Sequence, residues 1–98
     1  MVVICHVNVR SLLAQGRLEE LKFFVSVNTL DILCLTETWL KPKKNMQSTL
    51  TLPEYQPPFR YDCATGRGGG VAIYVRNESL PSAYLPLLRL TLNVLLYD

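Results

Sequence analysis

Hydrophobic and polar positions divide the chain into runs of different period. Val2 to Val7 is a run of β-forming residues interrupted by His6, and it predicts a strand that delivers Asn8 at its end. Between Arg10 and Asn28, Ala14, Leu18, Leu21, Phe24 and Val25 recur at helical spacing, with Gln15, Glu19, Lys22 and Ser26 on other faces. The spacing predicts an amphipathic helix starting near Gln15 or Gly16, with Ser11 available to cap an earlier turn. A second strand follows from Asp31 to about Thr38 and ends on Glu37, set between Thr36 and Thr38 and followed by Trp39, the only tryptophan. Runs of consecutive apolar residues predict strands covered on both faces. Strand, helix and strand over so short a span predict two parallel neighbours. Asn8 and Glu37 then fall at the same edge, the edge where open α/β sheets bind ligands.

Lys41 to Phe59 is read as a loop, because Pro42, Pro53, Pro57 and Pro58 break any regular element. Its length marks it as a functional or mobile segment. Arg60 to Gly70 leads into Val71 to Val75, a third strand. The run Gly68-Gly69-Gly70 does not follow a strand and open a helix, and it lacks the lysine and hydroxyl pair of a phosphate-binding loop. It is read as a tight turn feeding a buried strand, with a phosphate nest as the competing reading. Asn77 to Pro81 is a turn. Leu85 to Tyr97 is leucine-rich and partly alternating, and is the candidate for a fourth strand.

Composition narrows the picture. The chain has 98 residues, 49% of them hydrophobic and 18% charged, more apolar than a small soluble domain needs. Either part of a larger domain is missing or a partner covers one face. A net charge of +2 does not argue for nucleic acid by itself. The cations are clustered, however: Lys41, Lys43 and Lys44 follow the second strand, and Arg60, Arg67 and Arg76 frame the glycines. They read as solvated loops or as phosphate contacts. His6, the lone histidine, reads as packed and hydrogen-bonded rather than catalytic. Cys5, Cys34 and Cys63 form no CxxC pair, so neither a disulfide framework nor a zinc site is readable, and a reducing compartment, cytoplasm or nucleus, is expected. Met1 to Val7 lacks a basic leader region, and the leucine-rich end is too short to cross a bilayer, so neither secretion nor a membrane is expected. The acceptor triplet Asn77-Glu78-Ser79 is read as incidental.

Three stretches in this order resemble the endonuclease/exonuclease/phosphatase superfamily: His6-Val7-Asn8-Val9-Arg10-Ser11-Leu12, Asp31 to Leu40 with its Thr36-Glu37-Thr38-Trp39, and Arg67-Gly68-Gly69-Gly70 running on to Val75. They look most like the endonuclease domain of non-LTR retrotransposon polyproteins, which precedes a reverse transcriptase. The resemblance is strongest over residues 3–78, with 79–98 a divergent leucine-rich tail. It implies an α/β fold, the N-terminal half of a two-sheet sandwich of mixed sheets with flanking helices. It implies that Glu37 is a ligand of Mg2+, and that Asn8 serves both the metal site and the scissile phosphate. DNA is the implied partner, with Arg67, Lys41, Lys43 and Lys44 as candidate contacts.

The departures are as informative. The family pattern requires a later aspartate and asparagine and a terminal serine-aspartate-histidine, which supply the base that activates water. These 98 residues contain no such serine-aspartate-histidine, and Asp62 and Asp98 stand outside any such motif. The chain therefore reads as a truncated endonuclease domain without activity of its own, lacking its C-terminal half. A phosphatase fragment of the same superfamily, and a non-enzymatic relic or interaction module, are the alternatives.

Overall fold

The computed structural model of the chain describes residues 3–41, 47–63 and 68–78. They form β1 (Ile4–Asn8), α1 (Arg17–Val27), β2 (Ile32–Thr36), a 3₁₀ turn (Gln47–Leu50), β3 (Phe59–Tyr61) and β4 (Val71–Val75). The strands make one mixed sheet in the order β1-β2-β4-β3. The leucine-rich stretch from Leu85 to Tyr97, expected as a strand, lies outside the described residues.

The βαβ reading holds. β1 and β2 pair in parallel, from Ile4 opposite Ile32 to Asn8 opposite Thr36. β4 runs antiparallel to β2 with Val71 opposite Thr36, and β3 runs antiparallel to β4 with Tyr61 opposite Val71. The ends of β1, β2 and β3 and the start of β4 thus converge on one edge of the sheet.

α1 begins at Arg17, after Gly16 takes a left-handed conformation (φ 79) without a side-chain cap. Glu19 and Glu20 sit in the first turn, where the helix dipole favours negative charge. The helix closes at Asn28, whose backbone N–H and side-chain amide both donate to the Phe24 carbonyl. Leu21 is buried, and Leu18, Phe24 and Val25 pack partly buried against the core. This is the face the spacing predicted, without Ala14, which precedes the helix.

One face of the sheet carries this core. Leu33 and Leu35 of β2 align with Tyr74 and Ala72 of β4, and all four are inaccessible to solvent. Burying each leucine contributes about 1.5–3 kcal/mol. β4 is buried from Ala72 to Val75 as its apolar run implied. β1 departs from expectation. Ile4, His6 and Asn8 are exposed while Cys5 and Val7 are half-buried. β1 is an edge strand among the described strands, so only its helix side is covered. His6 stays hydrogen-bonded, with Nε2 2.9 Å from Thr36 Oγ1, but it is exposed rather than packed.

The segment read as a loop does more than connect. Leu50 and Leu52 are fully buried, and Tyr55 nearly so. Tyr74 donates its hydroxyl to the Leu50 carbonyl at 2.6 Å, and Tyr55 donates to the Leu30 carbonyl at 2.8 Å. β3, which begins at Phe59, was not predicted. It is three residues long and directly follows Pro57-Pro58, so it has neither the length nor the flanks of a strand signal.

Tyr74→Phe leaves the Leu50 carbonyl unpaired in the core and is expected to cost about 1–3 kcal/mol in urea denaturation. Burial raises the Tyr74 phenol well above the usual tyrosine range, an effect that Arg60 only partly offsets. The folded state therefore holds its proton more tightly than the unfolded state does. The associated stability is complete below the ordinary tyrosine pKa of about 10 and is lost as pH rises above it. Stability followed from pH 8 to 11 should fall less steeply in Tyr74→Phe than in the parent, and equal slopes would remove this assignment.

Candidate active site

The backbone at the shared edge is unusual. Glu37 and Trp39 both adopt left-handed conformations (φ 56 and 58), and on the neighbouring segment so do Arg10 and Ser11 (φ 44 and 77). Each such non-glycine residue costs about 1–2 kcal/mol. Outliers of this kind persist where surrounding structure dictates them, and they concentrate at functional sites. Here the constraint is a continued ladder of hydrogen bonds. Val9 N–H donates to the Thr36 carbonyl, Ser11 N–H to that of Glu37 (2.8 Å) and Leu12 N–H to that of Thr38 (2.9 Å). On the other side, Thr38 N–H donates to the Gly70 carbonyl and Trp39 N–H to that of Gly69 (2.9 Å).

The left-handed turn at Glu37 also shifts the side-chain alternation by one. Leu33 and Leu35 point into the core, so an undisturbed strand would bury residues 37 and 39 next. Instead Thr38 and Leu40 are each 1% exposed. Glu37 is half-buried and Trp39 is 45% exposed. The carboxylate is rotated out of the apolar interior, where an unpaired charge would be prohibitively costly.

Glu37 accepts a hydrogen bond on Oε1 from the Trp39 indole at 3.3 Å and makes no ion pair among the described residues. Asn8 is exposed and sits opposite Thr36, one residue before Glu37, on strands that lie about 4.8 Å apart. It borders a groove of about 230 Å³ between β1 and α1, with Arg17, Glu20 and Phe24 among its walls. The glycines fill the third side. A Cβ on Gly68 would lie 3.5 Å from Glu37 Oε1, and one on Gly70 would lie 2.5 Å from Thr38 Oγ1. Gly70 is therefore required both by its φ of 94 and by the absence of space. The Thr38 hydroxyl is buried and has no hydrogen-bond partner among the described residues.

The other sequence-predicted groups distribute unevenly. Lys41 reaches this edge, but its ammonium donates to the Cys63 carbonyl at 3.3 Å. Lys43, Lys44 and Arg67 lie outside the described residues. Asp62 also reaches this edge, where both its oxygens accept from Arg60, with the two side chains only 12% and 6% exposed. That bidentate pair occupies Asp62, whereas Glu37 makes no ion pair among the described residues. Glu37 and Asn8 offer hard oxygen donors, which suit a cation that keeps several waters and takes one or two protein ligands. Among the described residues no group of three or more histidine, cysteine, aspartate or glutamate side chains is placed to hold a metal. Two such donors would make at most part of a site for a hard divalent cation.

The family model for the endonuclease/exonuclease/phosphatase family matches residues 3–92. The chain belongs to that family. Among solved structures it is similar to an AP endonuclease from Archaeoglobus fulgidus, with 28% identity and a TM-score of 0.56 over 76% of this chain and 27% of that one. It is also similar to the 3′ phosphatase NExo from Neisseria bound to a product DNA hairpin, with 26% identity and a TM-score of 0.57 over 84% of this chain and 29% of that one. Comparison with curated protein sequences returns no match. The chain spans less than a third of either neighbour's length, and its mixed sheet with flanking helix corresponds to a fragment of the family fold. Members of the family are generally divalent-metal dependent. No described helix is long and apolar enough to cross a membrane.

Sequence reasoning singled out Asn8 and Glu37 but not what surrounds them. Trp39 stood out only as the single tryptophan, and its bond to Glu37 depends on a backbone turn that no residue type announces. The glycine run was read as a turn into a strand, and it does carry positive φ at Gly68, Gly69 and Gly70. Its contacts with residues 37–39 were not legible.

Two substitutions test the strained edge. Glu37→Gly relieves the left-handed penalty and is expected to raise stability by about 1 kcal/mol. Gly70→Ala drives a methyl into Thr38 and is expected to lower it by about 1–3 kcal/mol. Both are read from chemical denaturation midpoints at constant slope. A neutral Gly70→Ala would show that the approach of residues 38 and 70 is not tight.

Proposed function

We propose that the chain is the N-terminal part of a magnesium-dependent DNA endonuclease domain from a non-LTR retrotransposon polyprotein, without activity of its own. The observation that carries this reading is the strained turn that brings Glu37 out of the core beside Asn8 and the glycines. A family with nuclease and phosphatase members, and one neighbour bound to product DNA, support phosphate-ester hydrolysis on DNA. The order Asn8, Thr36-Glu37-Thr38-Trp39 and Arg67-Gly68-Gly69-Gly70 supports the retrotransposon branch.

In this reading the Glu37 carboxylate and the Asn8 amide hold the cation, and Asn8 also orients a phosphate oxygen. The bound ion would polarise the phosphate and stabilise the leaving oxygen. The turn at Glu37 pre-sets the carboxylate, so little reorganisation is needed when a cation arrives. These 98 residues supply no serine-aspartate-histidine to orient and deprotonate water, which is why the chain alone is read as inactive. Lys41, Lys43, Lys44 and Arg67 are the proposed DNA contacts, and their contribution would weaken with salt. Three free thiols support a reducing intracellular location.

A phosphatase of the same family is the second reading, supported by the likeness to the Neisseria 3′ phosphatase. Supercoiled plasmid incubated with Mg2+ and this chain should show no nicking that Glu37→Gln abolishes. A longer protein carrying the serine-aspartate-histidine stretch should nick, and should lose roughly 10²–10³-fold in rate on Glu37→Gln. Nicking by the 98-residue chain that depends on Glu37 would overturn its inactivity. Turnover of phosphate monoesters but not of plasmid by the longer protein would favour the phosphatase.

A further inference from the structure

Trp39 is the largest apolar side chain in the sequence, yet it is 45% exposed, in a chain whose core has room for Leu33, Leu35 and Tyr74. Tryptophan is on average among the more buried residues. Its position follows from two contacts. The indole N–H donates to Glu37 Oε1 at 3.3 Å, and the ring nitrogen lies 3.2 Å from where a Cβ on Gly68 would be. A side chain at position 68 would thus press on the indole edge, which would have to give by a few tenths of an ångström.

The backbone adds to the arrangement. Residues 37 and 39 are both left-handed and flank the buried Thr38, so their side chains emerge on the same side of the buried row. The Glu37 and Thr38 carbonyls and the Trp39 N–H are all held by the segments that follow β1 and precede β4. Fixed backbone at both ends leaves only the rotors of the glutamate free, and the indole N–H engages one of its oxygens.

We propose that Trp39 is the positioning residue of this site: beside Gly68, its indole N–H holds Glu37 by Oε1 and fixes the carboxylate for a divalent cation. This rests on the reading of Glu37 as a metal ligand. Groups that orient metal ligands from behind commonly change metal affinity by 10–100-fold when removed.

The test uses the full chain and two readouts. The single tryptophan gives one indole N–H resonance in a ¹⁵N-labelled sample, and Mn2+ binding is counted from the free-ion EPR signal. In Glu37→Ala the indole proton should shift and exchange faster with solvent. Trp39→Phe, which keeps an aromatic ring but removes the donor, should weaken Mn2+ binding roughly 10-fold. Replacing Trp39 by benzothienylalanine, which keeps the indole shape and lacks the N–H, should reproduce the loss if Trp39→Phe is poorly folded. An indole resonance indifferent to Glu37→Ala overturns the proposal. So does Mn2+ affinity that Glu37→Gln lowers but neither Trp39 variant changes, and in that case Glu37 remains a ligand. Mn2+ binding that is absent, or that Glu37→Gln leaves unchanged, removes the metal reading of Glu37 and the positioning role with it.

Discussion

The left-handed backbone at Glu37 is the constraint on which this edge of the molecule depends. A strand alternates its side chains strictly, and β2 is central in the described sheet, with the core against one face. Without an interruption, the row that begins with Leu33 and Leu35 would carry the carboxylate inward. One residue with φ near +56 resets the row, so that Thr38 and Leu40 take the buried places. The cost of that conformation is met by the ladders on either side, from Ser11 and Leu12 on one flank and Gly69 and Gly70 on the other. Local strain and global pairing are thus one feature seen at two scales.

Charge at the same edge is handled in two ways. Asp62 is closed off by Arg60 in a pair that is nearly excluded from solvent, and a buried pair of this kind is tolerated because each charge satisfies the other. Glu37 has no such cation among the described residues, where it accepts from an indole N–H, a neutral donor. The two carboxylates that converge on this edge are thus held differently among the described residues, Asp62 by a guanidinium and Glu37 by a neutral donor.

Much of this was legible in the sequence. Helical spacing located α1 to within two residues of Arg17, and the βαβ order brought Asn8 and Glu37 to one edge because paired parallel strands run in the same direction and so end on the same side of the sheet. Apolar runs misled where they were asked to report on coverage. The Val2 to Val7 run reads as doubly buried, yet an edge strand needs only one covered face, and edge position is a property of topology rather than of composition. β3 was hidden by its prolines and its length. The link between Trp39 and Glu37 was hidden for a deeper reason, since residues two apart in a regular strand share a face without touching, and only the irregular turn brings them into contact.

The close approach of Gly70 to Thr38 has a meaning beyond packing. Strand pairing is degenerate in its backbone hydrogen bonds, so β4 could in principle slide along β2 and bond as well elsewhere. A slip in one direction would present Val71 to Thr38, where there is no space for even a methyl group. A slip in the other direction would present Gly69 and turn Tyr74 to the opposite face, away from the Leu50 carbonyl to which it donates. The missing side chain at position 70 is therefore information: it is the notch that admits a single alignment of the two strands, and with it a single placement of the glutamate.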